Sequence, residues 1–105
     1  MAEIIWSRLA KEHLRRIDDY ISEGSPFYSI AFIDRLIASV EKIGLFPDSG
    51  RLVPEFGKDN LREIFFHKYR IVYLAENDTV KILAIVHGAM DIIKKRKREP
   101  WEFLR

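Results

Sequence analysis

Arg62, His67, Arg70 and His87 fall within or beside three short apolar runs between Leu61 and Gly88, LREIFFHKYRIVYLAENDTVKILAIVHG. Cations and imidazoles on an otherwise apolar surface are costly unless paired, so their positions call for an explanation. One chemistry suits their types. Cleaving RNA through its own 2′-OH takes a base for the hydroxyl, cations for the phosphate and an acid for the leaving 5′-oxygen, without a metal. Glu63 or His67 has the chemistry of the base, Arg51, Arg62 and Arg70 that of the phosphate clamp, and His87 that of the acid.

Strand alternation restricts this scheme. Side chains alternate across a strand, so Arg62 belongs with Ile64 and Phe66 while Glu63 shares the other face with Phe65 and His67. Arg62 and Glu63 reach one site only if a bulge or a strand end intervenes. For either residue alone, an Arg–Glu ion pair at a sheet edge is the simpler reading. Arg70 within YRIVY has Glu63 and Asp91 as candidate partners, and His87 before Gly88 reads equally as a hydrogen-bonded strand-end histidine. Other chemistries lack their residues. No glycine begins a phosphate-binding GxxxxGK[ST] or GxGxxG pattern, there are no cysteines, the three histidines show no HExxH spacing, and no serine sits in GxSxG. Neither a metal nor a cofactor is expected.

The elements that must hold these residues are legible in the same pattern. Leu61–His67, Tyr69–Ala75 and Thr79–His87 are rich in β-branched and aromatic residues, and Glu76, Asn77 and Asp78 break the last two apart, which predicts an antiparallel meander. Ala2–Trp6 predicts a further strand, at the sheet edge or beside the last strand. Strands this apolar need a cover on one face. Ser7 offers an N-cap, after which Ala10, His13, Leu14, Ile17, Tyr20 and Ile21 recur at helical spacing, with Gly24 as the expected glycine cap. Ser25–Pro26 restarts the pattern, and Phe32, Ile33, Leu36, Ile37, Val40 and Ile43 form the stripe of a second helix. Pro47, Gly50, Pro54 and Gly57 then make FPDSGRLVPEFGKDN a loop, long enough to carry function or merely to cross from helices to sheet. Ala89–Arg98 reads as a short helix or a tail.

Length and composition allow a single domain, 1–105, that is α+β: an N-terminal helical hairpin on a small twisted antiparallel sheet. The apolar fraction of 48% and charged fraction of 32% are those of a globular protein. The net charge of +2 is unevenly spread. Lys94, Lys95, Arg96, Lys97 and Arg98 are five of 18 basic residues, and without them 13 basic residues face 16 acidic ones. Residues 94–105 are thus a basic C-terminal segment, either solvated or a contact surface for an acidic partner or nucleic acid. The early charges of MAEIIWSRLAKEH do not suit a secretory leader, and no apolar run reaches the roughly 18 residues of a membrane span, so a cytoplasmic location and no membrane partner are expected.

The order PDSGRLVPE, LREI, YRIVY and ILAIVHG followed by MD, behind two helices, resembles the RelE/ParE toxin superfamily of type II toxin–antitoxin modules. The likeness runs from about Ile4 to Asp91. It implies a compact α/β toxin held inactive by a cognate antitoxin protein. The RelE-like branch cleaves mRNA on the ribosome, using basic residues on the sheet, an arginine just after the last strand and a Tyr or His near the C-terminus. Here Gly88, Ala89 and Met90 follow His87, and the C-terminal aromatics are Trp101 and Phe103, which cannot transfer a proton. The chain is therefore more similar to the ParE branch, whose members poison DNA gyrase without catalysis. Three functions follow as alternatives: a gyrase poison, a ribosome-dependent mRNA endoribonuclease resting on Arg70 and His87, and a degenerate toxin that only binds antitoxin. Arg51, Arg62 and Lys94–Arg98 are the expected phosphate or nucleic-acid contacts.

Overall fold

The element order is β1 (Glu3–Trp6), α1 (Arg8–Gly24), α2 (Pro26–Leu45), β2 (Arg51–Leu52), β3 (Leu61–Phe66), β4 (Tyr69–Glu76), β5 (Thr79–His87) and α3 (Ile92–Arg98), taken from a computed structural model that describes residues 1–103. Leu104 and Arg105, the end of the basic segment, lie outside the described residues. The helical hairpin starts and turns on two serines. Ser7 Oγ accepts from the Ala10 amide at 3.0 Å, and Ser25 Oγ accepts from the Tyr28 amide at 3.1 Å. Ser25 also ends α1, its own amide donating to the Ile21 carbonyl from an extended backbone (φ −161°). Gly24 is simply the last helical residue, so the glycine cap expected there is not used.

The five strands run in the order β1-β5-β4-β3-β2, and every pair is antiparallel except β1 with β5. The sheet is therefore mixed. Between β1 and the rest of the sheet lie two helices, a connection long enough for a parallel neighbour, where a tight hairpin would have forced an antiparallel one. Beyond Trp6 the edge of β5 would be bare, and α1 covers it. The Ser7 amide donates to the Ile82 carbonyl, Ser7 Oγ to the Leu83 carbonyl, and the Ile85 amide to His13 Nδ1 at 3.1 Å. The long α2–β3 connection hides β2 and is tied down by Tyr73, whose hydroxyl accepts from the Gly50 amide at 2.9 Å and donates to the Pro47 carbonyl at 2.8 Å. A Cβ on Gly50 would lie 2.6 Å from the Glu63 carbonyl and from the Tyr73 hydroxyl, so the close approach requires glycine.

Both faces of the sheet are covered. Ile71, Tyr73, Val80, Ile82 and Ile85 pack against Ala10, Ile17, Phe32, Leu36, Val40 and Ile43 of the hairpin. Leu61, Val72, Leu74, Leu83, Ala84 and Val86 pack on the other side with Val53, Ile92 and Trp101. The C-terminal segment is thus a second layer. A bulge makes this division possible: Val72 pairs with Ala84 and Tyr73 with Ile82, leaving Leu83 as the extra residue. Without it, Ile82 and Ile85 would point to opposite faces.

Candidate functional site

On the face shared with the C-terminal layer, β2, β3, β4 and the turn after β2 bring four charges together. Arg51 lies opposite Glu63 in the register, and Arg70 opposite the neighbouring Phe65. The Glu63 side chain is fully buried and accepts from Arg51 Nε at 2.7 Å and from Arg70 Nε. Arg70, itself buried, turns its remaining fork onto Glu55, with Nη1 to Oε2 at 2.9 Å and Nη2 to Oε1 at 2.8 Å. The Glu55 hydrogen bonds push the Arg70 guanidinium up against the pull of burial, and the same bonds hold the Glu55 carboxyl below its usual range. Arg51 also lies over the Phe65 ring, 4.8 Å from its centroid. Two cations meet two carboxylates, so the cluster is neutral and each guanidinium is already engaged.

The remaining sequence-predicted residues are elsewhere. Arg62 is on the helical face, as alternation requires, where Nη1 donates to the Gly50 carbonyl at 2.8 Å and Nε faces Asp48 at 3.7 Å. Arg51, Arg62 and Arg70 therefore do not converge on one point. His87 pairs with Tyr69, and Val86 with Arg70, which puts Arg70 and His87 on opposite faces. His67 lies in the β3–β4 turn with φ 53° and packs on Phe32 and Phe66.

The basic segment divides in two. Asp91 caps α3, accepting from the Ile93 and Lys94 amides, which removes it as a partner for Arg70. Lys95 reaches Glu99 at 3.0 Å, and Arg96 lies over the Phe56 and Trp101 rings. Glu99 is the C-cap of α3 itself, so of these two only Arg96, through Phe56, ties the helix to the rest of the protein. Lys94, Lys97 and Arg98 are exposed and have no ion pair among the described residues. Glu99 joins the layers, with His13 Nε2 at 3.1 Å and Arg16 at 2.8 Å. Since His13 Nδ1 accepts from Ile85, Nε2 carries the proton and donates. Burial pushes the His13 pKa down. Burial would raise Glu99, but His13, Lys95 and Arg16 outweigh it and hold it at about 2. Among the described residues no group of His, Asp or Glu side chains is placed to hold a metal ion, and no helix is long and apolar enough to cross a membrane.

Residues 4–92 match the family described as the ParE toxin of the type II toxin–antitoxin system parDE. The chain belongs to the ParE toxin family. It is 31% identical over 90 residues to the toxin RelE2 of Caulobacter vibrioides, covering 85% of this chain and 98% of that one. Its fold is similar to a chain from the chromosomal ParDE system of P. aeruginosa, with a TM-score of 0.69, 18% identity, and 83% and 96% of the two chains covered. The protein is thus a toxin of a type II module in the RelE/ParE superfamily, and a cognate antitoxin is its partner. For a ParE-family toxin the scaffold residues are as informative as the arginines. No sequence pattern points to Glu55 or Glu99, and His13 reads from the sequence only as a position on the α1 stripe. A guanidinium in the middle of YRIVY requires carboxylates on its face, and that requirement was the available signal for Glu55.

Proposed function

We propose that this toxin acts by binding, and that its target is DNA gyrase, as in the ParE branch it belongs to. The observation that carries this reading is the separation of the groups RNA cleavage would need. Arg70 is buried and engaged by Glu55 and Glu63, while His87 is on the other face of the sheet. An in-line attack needs clamp, base and acid around one phosphate. The contact residues are then the exposed cations Lys94, Lys97 and Arg98 on α3, with Arg51 and Arg62 spent mainly on tying β2 and its loop to the sheet. Expression without antitoxin is expected to arrest growth and to leave a reporter plasmid depleted of negative supercoils. Growth arrest with unchanged plasmid topology would overturn the gyrase target.

The likeness to a toxin named RelE2 favours a second reading, a ribosome-dependent mRNA endoribonuclease using Arg70 and His87. It predicts codon-positioned cuts in translated mRNA that disappear in Arg70→Ala or His87→Ala. Intact transcripts in primer extension would remove it. Harmless overexpression with tight antitoxin binding would instead make the chain a degenerate toxin.

A further inference from the structure

At the end of the molecule away from β2, the tip of the helical hairpin and the β3–β4 turn enclose a cleft of about 370 Å³, lined by Tyr20, Tyr28, Phe32, His67, Tyr69 and His87, with Ile21 and Lys68 completing it. We infer that this cleft binds one nucleotide, with its base stacked on the exposed Tyr20 and Tyr28 rings and its phosphate at Lys68. The inference goes beyond the target reading and does not depend on it.

The rings are already arranged. Phe32, buried, forms the floor and packs 6.0 Å from Tyr28, 5.2 Å from His67 and 6.2 Å from Tyr69, centroid to centroid, while Tyr69 meets His87 edge-on at 5.6 Å. Tyr20 and Tyr28 are exposed on the walls. These inner rings pack on one another in tilted or edge-on contact, so a planar ligand has the exposed Tyr20 and Tyr28 rings to stack on, and stacking of this type is indifferent to base identity. The cleft lies within the size range of small-ligand sites.

The polar groups point to the same ligand. Among the described residues, the hydroxyls of Tyr20, Tyr28 and Tyr69, the His67 imidazole and the Lys68 ammonium have no hydrogen-bond or ion-pair partner. His87 Nδ1 accepts from the Ala89 amide at 3.1 Å, which leaves Nε2–H as a donor. The lining holds one lysine and no carboxylate. An aromatic cage for an organic cation would be weakened by that lysine, whereas a ligand with an anionic group gains from it. His67 takes the left-handed backbone conformation (φ 53°) of a short hairpin turn, as Asn77 does between β4 and β5 (φ 52°). The turn sets His67 and Lys68 side by side at the cleft mouth.

The test follows the imidazole proton resonances of His67 and His87 in the full chain during titration with adenosine monophosphate, adenosine, inorganic phosphate, tetramethylammonium and a short single-stranded oligonucleotide. The monophosphate is expected to shift both histidines saturably in the millimolar range or tighter, and adenosine more weakly. Tyr28→Ala, at an exposed position, should weaken the monophosphate on the order of 5- to 150-fold. Lys68→Ala should bring the monophosphate down to the affinity of adenosine. An oligonucleotide much tighter than the monophosphate identifies a strand as the source, and equal affinities a free nucleotide; both support the site. No shift of His67 or His87, binding of phosphate alone as tight as the nucleotide, preference for tetramethylammonium, or unchanged affinity in Tyr28→Ala with its native fold confirmed by circular dichroism would each overturn it.

Discussion

Arg70→Met keeps an apolar stem of similar reach and removes both guanidinium forks. It leaves Glu63, whose side chain has no exposure, with one contact from Arg51, which is 54% exposed, while Glu55 can turn to water. Removing one partner of a buried ion pair costs about 3 to 5 kcal/mol because the other charge is stranded. Against a domain stability of about 5 to 15 kcal/mol, that is a large share. For a chain of this size the melting temperature should fall by at least about 12 °C. The double variant Arg70→Met with Glu63→Leu removes the stranded charge and should recover most of the loss, since apolar replacements of buried pairs are often neutral or better. Thermal and urea unfolding of the wild type, the two single variants and the double variant measure this directly. Because the network is scaffold, the double variant should also still arrest growth. Arg70→Met within about 0.5 kcal/mol of wild type, the change ordinary surface sites show, would refute the stranded-charge reasoning. A stable double variant that no longer arrests growth would show that Arg70 acts in the toxic step itself.

Acid should unfold the protein by loosening its C-terminal layer. His13 has a depressed folded pKa, so its contribution is complete above about 6.5 and is lost as pH falls below that value. Glu99, held at about 2 against an ordinary 4.5, adds stability present above 4.5 and lost between there and about 2. Glu99→Gln should remove that lower limb, on the order of 3 kcal/mol at most, as followed by circular dichroism across a pH series. Tyr73→Phe strands the Gly50 amide and the Pro47 carbonyl and should cost about 1 to 3 kcal/mol, read as a lower urea midpoint at unchanged slope. Charge reversal at Lys94, Lys97 and Arg98, which are exposed, should leave stability nearly unchanged while lowering toxicity and the salt dependence of any DNA binding. Unaltered toxicity would free α3 of a contact role.

The helices are legible because their apolar residues recur at a period of 3.6, and the three long strands because β-branched and aromatic residues run between turn residues, with side chains that must alternate across the sheet. The face assignment of Arg62 and Glu63 follows from the same alternation and agrees with the register. What periodicity does not carry is tertiary. The parallel pairing of β1 depends on where the helical hairpin delivers the chain, and β2 is two residues long, stabilised by Arg51 on Glu63 more than by its own composition. The Leu83 bulge breaks the period inside β5 and shows only in the register. Ala89–Arg98 gave no choice between helix and tail, since its one buried residue, Ile92, cannot define a stripe. Cations stand out in apolar runs, which is why the arginines suggest a clamp. Glu55, across a loop of Pro and Gly, is the residue that completes Arg70's partners, and no local pattern links two positions 15 apart in sequence.

The most direct test of action by binding is a DNA cleavage assay with purified gyrase, supercoiled plasmid and the purified toxin. If the toxin acts by binding gyrase, linear, gyrase-linked DNA accumulates with toxin concentration, the antitoxin suppresses it, and Arg70→Met with Glu63→Leu behaves as wild type. Gyrase activity unchanged at toxin levels that arrest growth, together with cut mRNA in translating ribosomes, would contradict it.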